Sequence, residues 1–199
     1  MQLIMDGFED EKSNGFTLIE LLVATGLTLI VIVIAGSVMM GGLRAQEASR
    51  TVSDAANTAQ QIVRSIQAGV KNASAITAIA GATAGSQLLL TRTVSMDPTS
   101  TTPSCQAWYY TPVGGGNVYT TIATPAAAIL VPSGGPQGVW TLLGTGVTPA
   151  DPVTGKVFNA PSGDRVELNF NVTAGSHPYV LIHTMNYRSL STTVSAPCF

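Results

Sequence analysis

From Leu21 to Leu43 the chain carries no charged residue. At 1.5 Å rise per residue a helix of that length spans about 34 Å, enough for a hydrocarbon core of about 30 Å. The run therefore predicts a helix that sits in a bilayer or among other apolar helices. One carboxylate, Glu20, opens it. A charge inside lipid costs about 2.5–3.5 kcal/mol at mid-span and less near the end. An ordinary anchor has no reason to carry that cost, so Glu20 reads as a functional residue whose partner must be sought. A single-pass anchor for an unrelated outer domain is the competing reading, and hydropathy alone does not separate the two.

The residues around Glu20 narrow the choice. The decapeptide Gly15-Phe16-Thr17-Leu18-Ile19-Glu20-Leu21-Leu22-Val23-Ala24 resembles the type III signal of type IV prepilins and pseudopilins. The resemblance covers this motif and the apolar helix behind it. It implies that a dedicated membrane peptidase cuts after Gly15 and methylates the new N-terminus, Phe16. It also implies that Glu20 recruits the subunit into a growing fibre. The cut would create an α-amino cation at the same membrane depth as Glu20, which supplies the missing partner. The partners implied are other pilin or pseudopilin subunits through the N-terminal helix, the prepilin peptidase/methylase, an inner-membrane assembly platform and the lipid bilayer.

Residues 1–15 are then a cytoplasmic leader to be removed, not part of the fold. A secretory signal places its cleavage site after the apolar core; here the polar part comes first, so the apolar helix stays in the mature chain. The leader is acidic, with Asp6, Glu9, Asp10 and Glu11 against Lys12. The positive-inside rule gets no purchase on it, so orientation rests on the motif. Major pilins commonly carry a proline where this chain has Ser37. Gly26, Gly36 and the pair Gly41-Gly42 lower helix propensity by about 1 kcal/mol each relative to alanine.

The helix is expected to continue past the membrane. Val52, Ala56, Ala59, Val63, Ile66 and Val70 recur at alternating steps of four and three, a helical seam. Asp54, Gln60, Gln61, Arg64 and Gln67 fall between them. A helix from Phe16 to about Ala68 would be on the order of 80 Å long. Propensity alone does not sustain such a helix, so the lower half calls for lipid or neighbouring helices and the upper half for a folded domain. This gives a transmembrane and assembly helix over 16–43, its soluble half over 44–75, and a β-rich extracytoplasmic head over 76–199.

After Lys71, glycines and prolines break the chain at short intervals, with β-favouring runs between them. These are Gln87–Thr91, Gln106–Thr111, Val118–Ile122, Ile129–Val131 and Val139–Leu143. The clearest strand is Arg165–Thr173, where Val166, Leu168, Phe170 and Val172 alternate with Glu167, Asn169 and Asn171. One dry face and one wet face imply an antiparallel sheet. Tyr179–Tyr187 is its hairpin partner across the turn at Ala174-Gly175-Ser176. The fold class is α+β, and the long helix packed against an antiparallel head resembles the pilin fold.

Two cysteines, Cys105 and Cys198, are too few for a zinc site by themselves. In an oxidising compartment they read as one disulfide, closing a loop of about 94 residues and removing about 4–5 kcal/mol of unfolded-state entropy. Two unpaired buried thiols are the other reading.

The residues offer no catalytic constellation, and no enzyme activity or cofactor is expected. His177 precedes Pro178 and His183 lies in a strand; neither comes with a nucleophile-elbow pattern. Net charge is −2 and only 10% of residues are charged, so no basic surface invites nucleic acid. Asp151 and Asp164 in Gly/Pro-rich loops are weighed as calcium ligands, though their spacing is that of no known calcium loop. Asn72-Ala73-Ser74 and Asn171-Val172-Thr173 fit the glycosylation sequon, a triplet common by chance.

The expected role is a structural subunit of a type IV pilus or a pilus-like type II secretion or DNA-uptake machine. The missing proline, the wide cysteine spacing and a terminal region similar to minor pilins of the PilW type and J-type pseudopilins favour a minor subunit over a major one. The alternative is a membrane-tethered extracytoplasmic binding domain on an unrelated N-terminal anchor.

Overall fold

The computed structural model describes residues 17–93, 102–175, 177–188 and 193–199. Among these residues one helix, α1 (Leu18–Lys71), is followed by nine strands. The chain divides into two compact units, Met1–Glu47 and Ala48–Phe199. In the first unit the described residues, from Thr17 on, are exposed, including every large apolar side chain from Leu18 to Leu43. By length and composition this part of α1 is able to cross a membrane.

The second unit packs the upper part of α1 on two antiparallel sheets. The first sheet has the order β1 (Ala73–Ala80), β2 (Gln87–Thr93), β3 (Ser104–Thr111), β4 (Asn117–Ala123) and β5 (Thr141–Thr145). The second is built on β8 (Arg165–Ala174). Along one side of β8 lie β6 (Val147–Pro149) and β7 (Phe158–Asn159), and on the other β9 (His177–Tyr187). The class is therefore α+β, with a long apolar N-terminal helix and an antiparallel β domain. The β8–β9 hairpin follows the alternation read from sequence: Val166, Leu168, Phe170, Val172 and Ala174 are buried and the residues between them are not.

The main core joins three surfaces. Ala55, Ala59, Ile62, Ile66 and Val70 come from α1; Ile76, Leu89, Trp108, Tyr110 and Val118 come from the first sheet; Phe158 and the buried row of β8 come from the second. The helical face differs from the expected seam. Ala59, Ile66 and Val70 are buried as expected, but Val52 is 39% exposed, and Ala55 and Ile62 take the places given to Ala56 and Val63. The cause is Gly69, where an added Cβ would lie 2.3 Å from Cη2 of Trp108. The bare glycine lets the indole reach the helix, which turns the contact face toward Gly69, Ile62 and Ala55, a choice hydropathy does not register.

β3 is buried on both sides, so its residues divide between two cores. Trp108 and Tyr110 face the helix. Ala107 and Tyr109 face outward and form a second cluster with Leu88 and Leu90, covered by Ile129, Val131 and Trp140. The expected strand at Ile129–Val131 is thus not a strand. Its alternation is real, with Leu130 81% exposed between two packed neighbours. However, the segment lies across a sheet face, where there is no ladder to join. The other strands shift by a few residues: the run expected at 139–143 forms at Thr141–Thr145.

The expected soluble half of the helix, 44–75, ends early. The Asn72 side-chain amide donates to Ala68 O at 3.3 Å at the end of α1, and Ala73 already pairs with Thr93 in β1. Alanine favours helix over strand, and the four alanines of β1 outweigh the strand signal of Ile76, Thr77 and Ile79. The boundary set at residue 76 falls inside this strand.

Gly116 is where the two sheets are knitted together. Its φ is +84°, and an added Cβ would fall 1.8 Å from Val147 O, a position no side chain can occupy. Gly116 O accepts the Val147 N–H at 3.0 Å, so β5 leaves the first sheet and continues as β6 of the second.

Candidate functional site

Gly15 and Phe16, the residues of the expected cut and methylation, lie outside the described residues. The residues that follow form a capping box. Thr17 is the N-cap of α1; its backbone N–H and its hydroxyl donate to Oε2 of Glu20 at 3.0 and 2.9 Å. The Glu20 N–H donates back to the Thr17 hydroxyl at 3.3 Å. This reciprocal pattern satisfies two of the orphan donors at a helix start, and it needs Thr and Glu three residues apart. Glu20 also places its negative charge at the positive end of the helix dipole. One Glu20 oxygen is thereby spent on its own helix start, while the side chain as a whole stays exposed.

Above Glu20 the polar atoms of the apolar run are satisfied within the helix. Thr25 donates to Leu22 O at 3.0 Å, Thr28 to Ala24 O at 2.7 Å and Ser37 to Ile34 O at 2.8 Å. Back-bonded hydroxyls of this kind leave nothing unpaired for an apolar surrounding. At Gly26, Gly36, Gly41 and Gly42 the space beside the backbone is open.

In the second unit, Cys105 and Cys198 form a disulfide with Cα atoms 5.5 Å apart. Both are buried, Cys105 in β3 and Cys198 in the C-terminal segment. Two arginines hold that segment from the other side. Arg92 donates to Ala196 O at 2.9 Å and to the Ser74 hydroxyl at 3.0 Å. Ser74 donates in turn to Val194 O at 2.7 Å. Arg188 bonds Ser74 O and, at 2.9 Å, the Thr193 hydroxyl. The C-terminal segment is thus a clasp on β1 and β3. The cysteines were legible in sequence; the arginine and serine contributions depend on strand register and were not.

The remaining sequence candidates stay apart. Asp151 accepts the Val153 N–H at 2.9 Å and the Thr154 hydroxyl at 2.8 Å, bonds that hold its carboxyl below the usual range. Asp164 is held low chiefly by the Ser162 hydroxyl. Each carboxylate is engaged within its own loop, and among the described residues no group of three or more His, Cys, Asp or Glu gathers as metal ligands. His183 is exposed on β9 beside Arg64 and Gln67 of α1, in a shallow groove. In the sequons, Ser74 is buried in the clasp and Asn171 lies within β8.

A larger feature, unanticipated from sequence, is a cleft of about 610 Å³ between β1 and the segment 154–161. Gln87 of β2 builds its far wall. Its amide donates to Gly155 O at 2.7 Å, and its carbonyl accepts the N–H groups of Val157 and Phe158 at 3.0 and 2.9 Å. No protein-family model, curated protein or solved structure matches this chain.

Proposed function

We propose that this chain is a structural subunit, minor rather than major, of a type IV pilus or a pilus-like secretion or uptake machine. The observation that carries the reading is the decapeptide 15–24 set at the start of an exposed apolar helix, with Glu20 its lone charge between Phe16 and Leu43. In this reading a prepilin peptidase cuts after Gly15, and the subunit waits in the inner membrane with its head outside the cytoplasm. The Cys105–Cys198 disulfide suits that compartment.

On assembly, the free oxygen of Glu20 meets the α-amino group of a neighbour's Phe16 as the apolar helices pack. An ion pair taken out of water offsets its desolvation only when geometry is good. The contact therefore acts as a register check, with the adhesion coming from the apolar surface around it. The minor role rests on Ser37 where major pilins carry proline, and on a disulfide spanning 93 residues in place of a short C-terminal loop.

Mass spectrometry of the chain from its native membrane tests the reading. N-methyl-phenylalanine at Phe16 is expected; an intact Met1, or cleavage near Gly41, overturns it. Counting copies in sheared fibres then separates the roles, since one copy per fibre repeat means a major subunit.

A further inference from the structure

Among the described residues β1 is the outer strand of the first sheet, and its two halves are treated differently. Gly81 N–H donates to Ser86 O at 2.8 Å, one step beyond the Ala80–Gln87 pair. By the two-residue alternation of an antiparallel ladder, Gly81, Ile79, Thr77 and Ala75 turn their backbone groups toward β2. Ser74, Ile76, Ala78 and Ala80 turn theirs outward. The first outward pair is covered: Arg188 bonds Ser74 O, and Gly163 runs beside Ile76 O. The second pair is open. Among the described residues nothing hydrogen-bonds the outward N–H and C=O groups of Ala78 and Ala80, and both residues line the cleft.

Exposed edges are normally blunted by charge, proline or a bulge. Over Ala78–Ala80 there is none of these. Instead the open edge faces a wall whose backbone Gln87 holds in place. That wall presents Lys156, the one charged side chain among the described residues that line the cleft; the Asn159 amide beside it already donates to Glu167 at 2.9 Å. Main-chain groups repeating every second residue match another strand, and a lone ammonium group beside them matches a carboxylate.

We propose that this cleft binds an extended peptide segment of a partner protein. The segment adds as a strand to β1 at Ala78 and Ala80 and places an acidic group, a side chain or a chain terminus, on Lys156. The inference stands on the second unit alone and does not depend on how the N-terminal helix is used.

The test uses the full chain in detergent and, as probe, a heptapeptide of alternating valine and threonine with a free C-terminal carboxylate, alongside its C-terminal amide. Backbone amide exchange is read residue by residue. Binding of the carboxylate form is expected to slow exchange at Ala78 and Ala80 at least tenfold. Lys156→Gln should weaken that form about threefold, the size of an exposed ion pair, and leave the amide form unchanged. Ala80→Pro removes an outward N–H without touching the β1–β2 ladder and should abolish binding of both. Absence of binding at millimolar peptide, protection along β9 instead of β1, or binding indifferent to Ala80→Pro overturns the proposal.

Discussion

Trp108 donates its indole N–H to the Ser65 hydroxyl at 2.9 Å, fastening the most buried strand of the first sheet to the helix that crosses it. The same ring lies over the bare face of Gly69, one helical turn on. Gly69→Ala would raise helix propensity by about 1 kcal/mol, but the new methyl would meet a ring that its hydrogen bond and full burial hold in place. Overpacking of this kind costs about 1–3 kcal/mol, so a net loss of stability is expected in chemical denaturation. Ser65→Ala should cost about 1 kcal/mol or more, because it leaves a donor unpaired. A Gly69→Ala chain as stable as the parent would show that Trp108 is free to move.

This contact also marks where sequence stops being informative. The β8–β9 hairpin was legible because alternation in one strand encodes which face is dry. The helix in 18–71 was legible from its long uncharged stretch and a seam of period near 3.6. The position of that seam was not, since Ile62 and Val63 are equally apolar and the choice was made by a glycine paired with a distant tryptophan. β1 was hidden because its four alanines, Ala73, Ala75, Ala78 and Ala80, favour helix and mask the β-branched Ile76, Thr77 and Ile79, which show as a strand once paired with β2. Gln87, which builds the cleft, is one glutamine among several until the fold brings 155–158 against it.

The clasp at the C-terminus gives a second expectation. Cys198→Ser removes a link over a separation of 93 residues, for which the chain-entropy model assigns about 4–5 kcal/mol. The bonds from Arg92 and Ser74 to the tail remain, so the tail should loosen without the sheets coming apart. The denaturation midpoint should fall, and reductant should lower the parent chain to the same value while leaving the variant unaffected. A variant still sensitive to reductant would contradict this pairing.

Acid should weaken the second unit through its loops. Val153 N–H and Thr154 hydroxyl hold Asp151 below its ordinary pKa, and the Ser162 hydroxyl, helped by Arg165 and Arg188, does so for Asp164. Both native carboxyls therefore titrate below their unfolded values near 3.9. Above that value both states are ionised and the full contribution is present. As pH falls, the unfolded chain takes up protons first and stability declines until the native groups protonate as well. Urea midpoints measured from pH 6 to pH 2.5 should drop below about pH 4. The double variant Asp151→Asn, Asp164→Asn should drop less; an identical profile would rule these loops out as a source of the acid sensitivity.

Glu20 combines two roles that substitution can separate. As a cap it needs only an acceptor for the Thr17 N–H and hydroxyl, which glutamine also supplies. As the partner of a neighbour's amine it needs charge. Glu20→Val removes both the reciprocal cap and the charge, yet it also removes a polar group from the apolar run. Membrane insertion and cleavage after Gly15 should therefore proceed, and incorporation into fibres should fail. Glu20→Gln restores the cap alone. If pairing with the Phe16 amine governs assembly, the glutamine variant stays out of fibres as the valine variant does, measured as its ratio to the other subunits in sheared material. If glutamine assembles normally, the carboxylate serves the helix start and the register check must lie elsewhere.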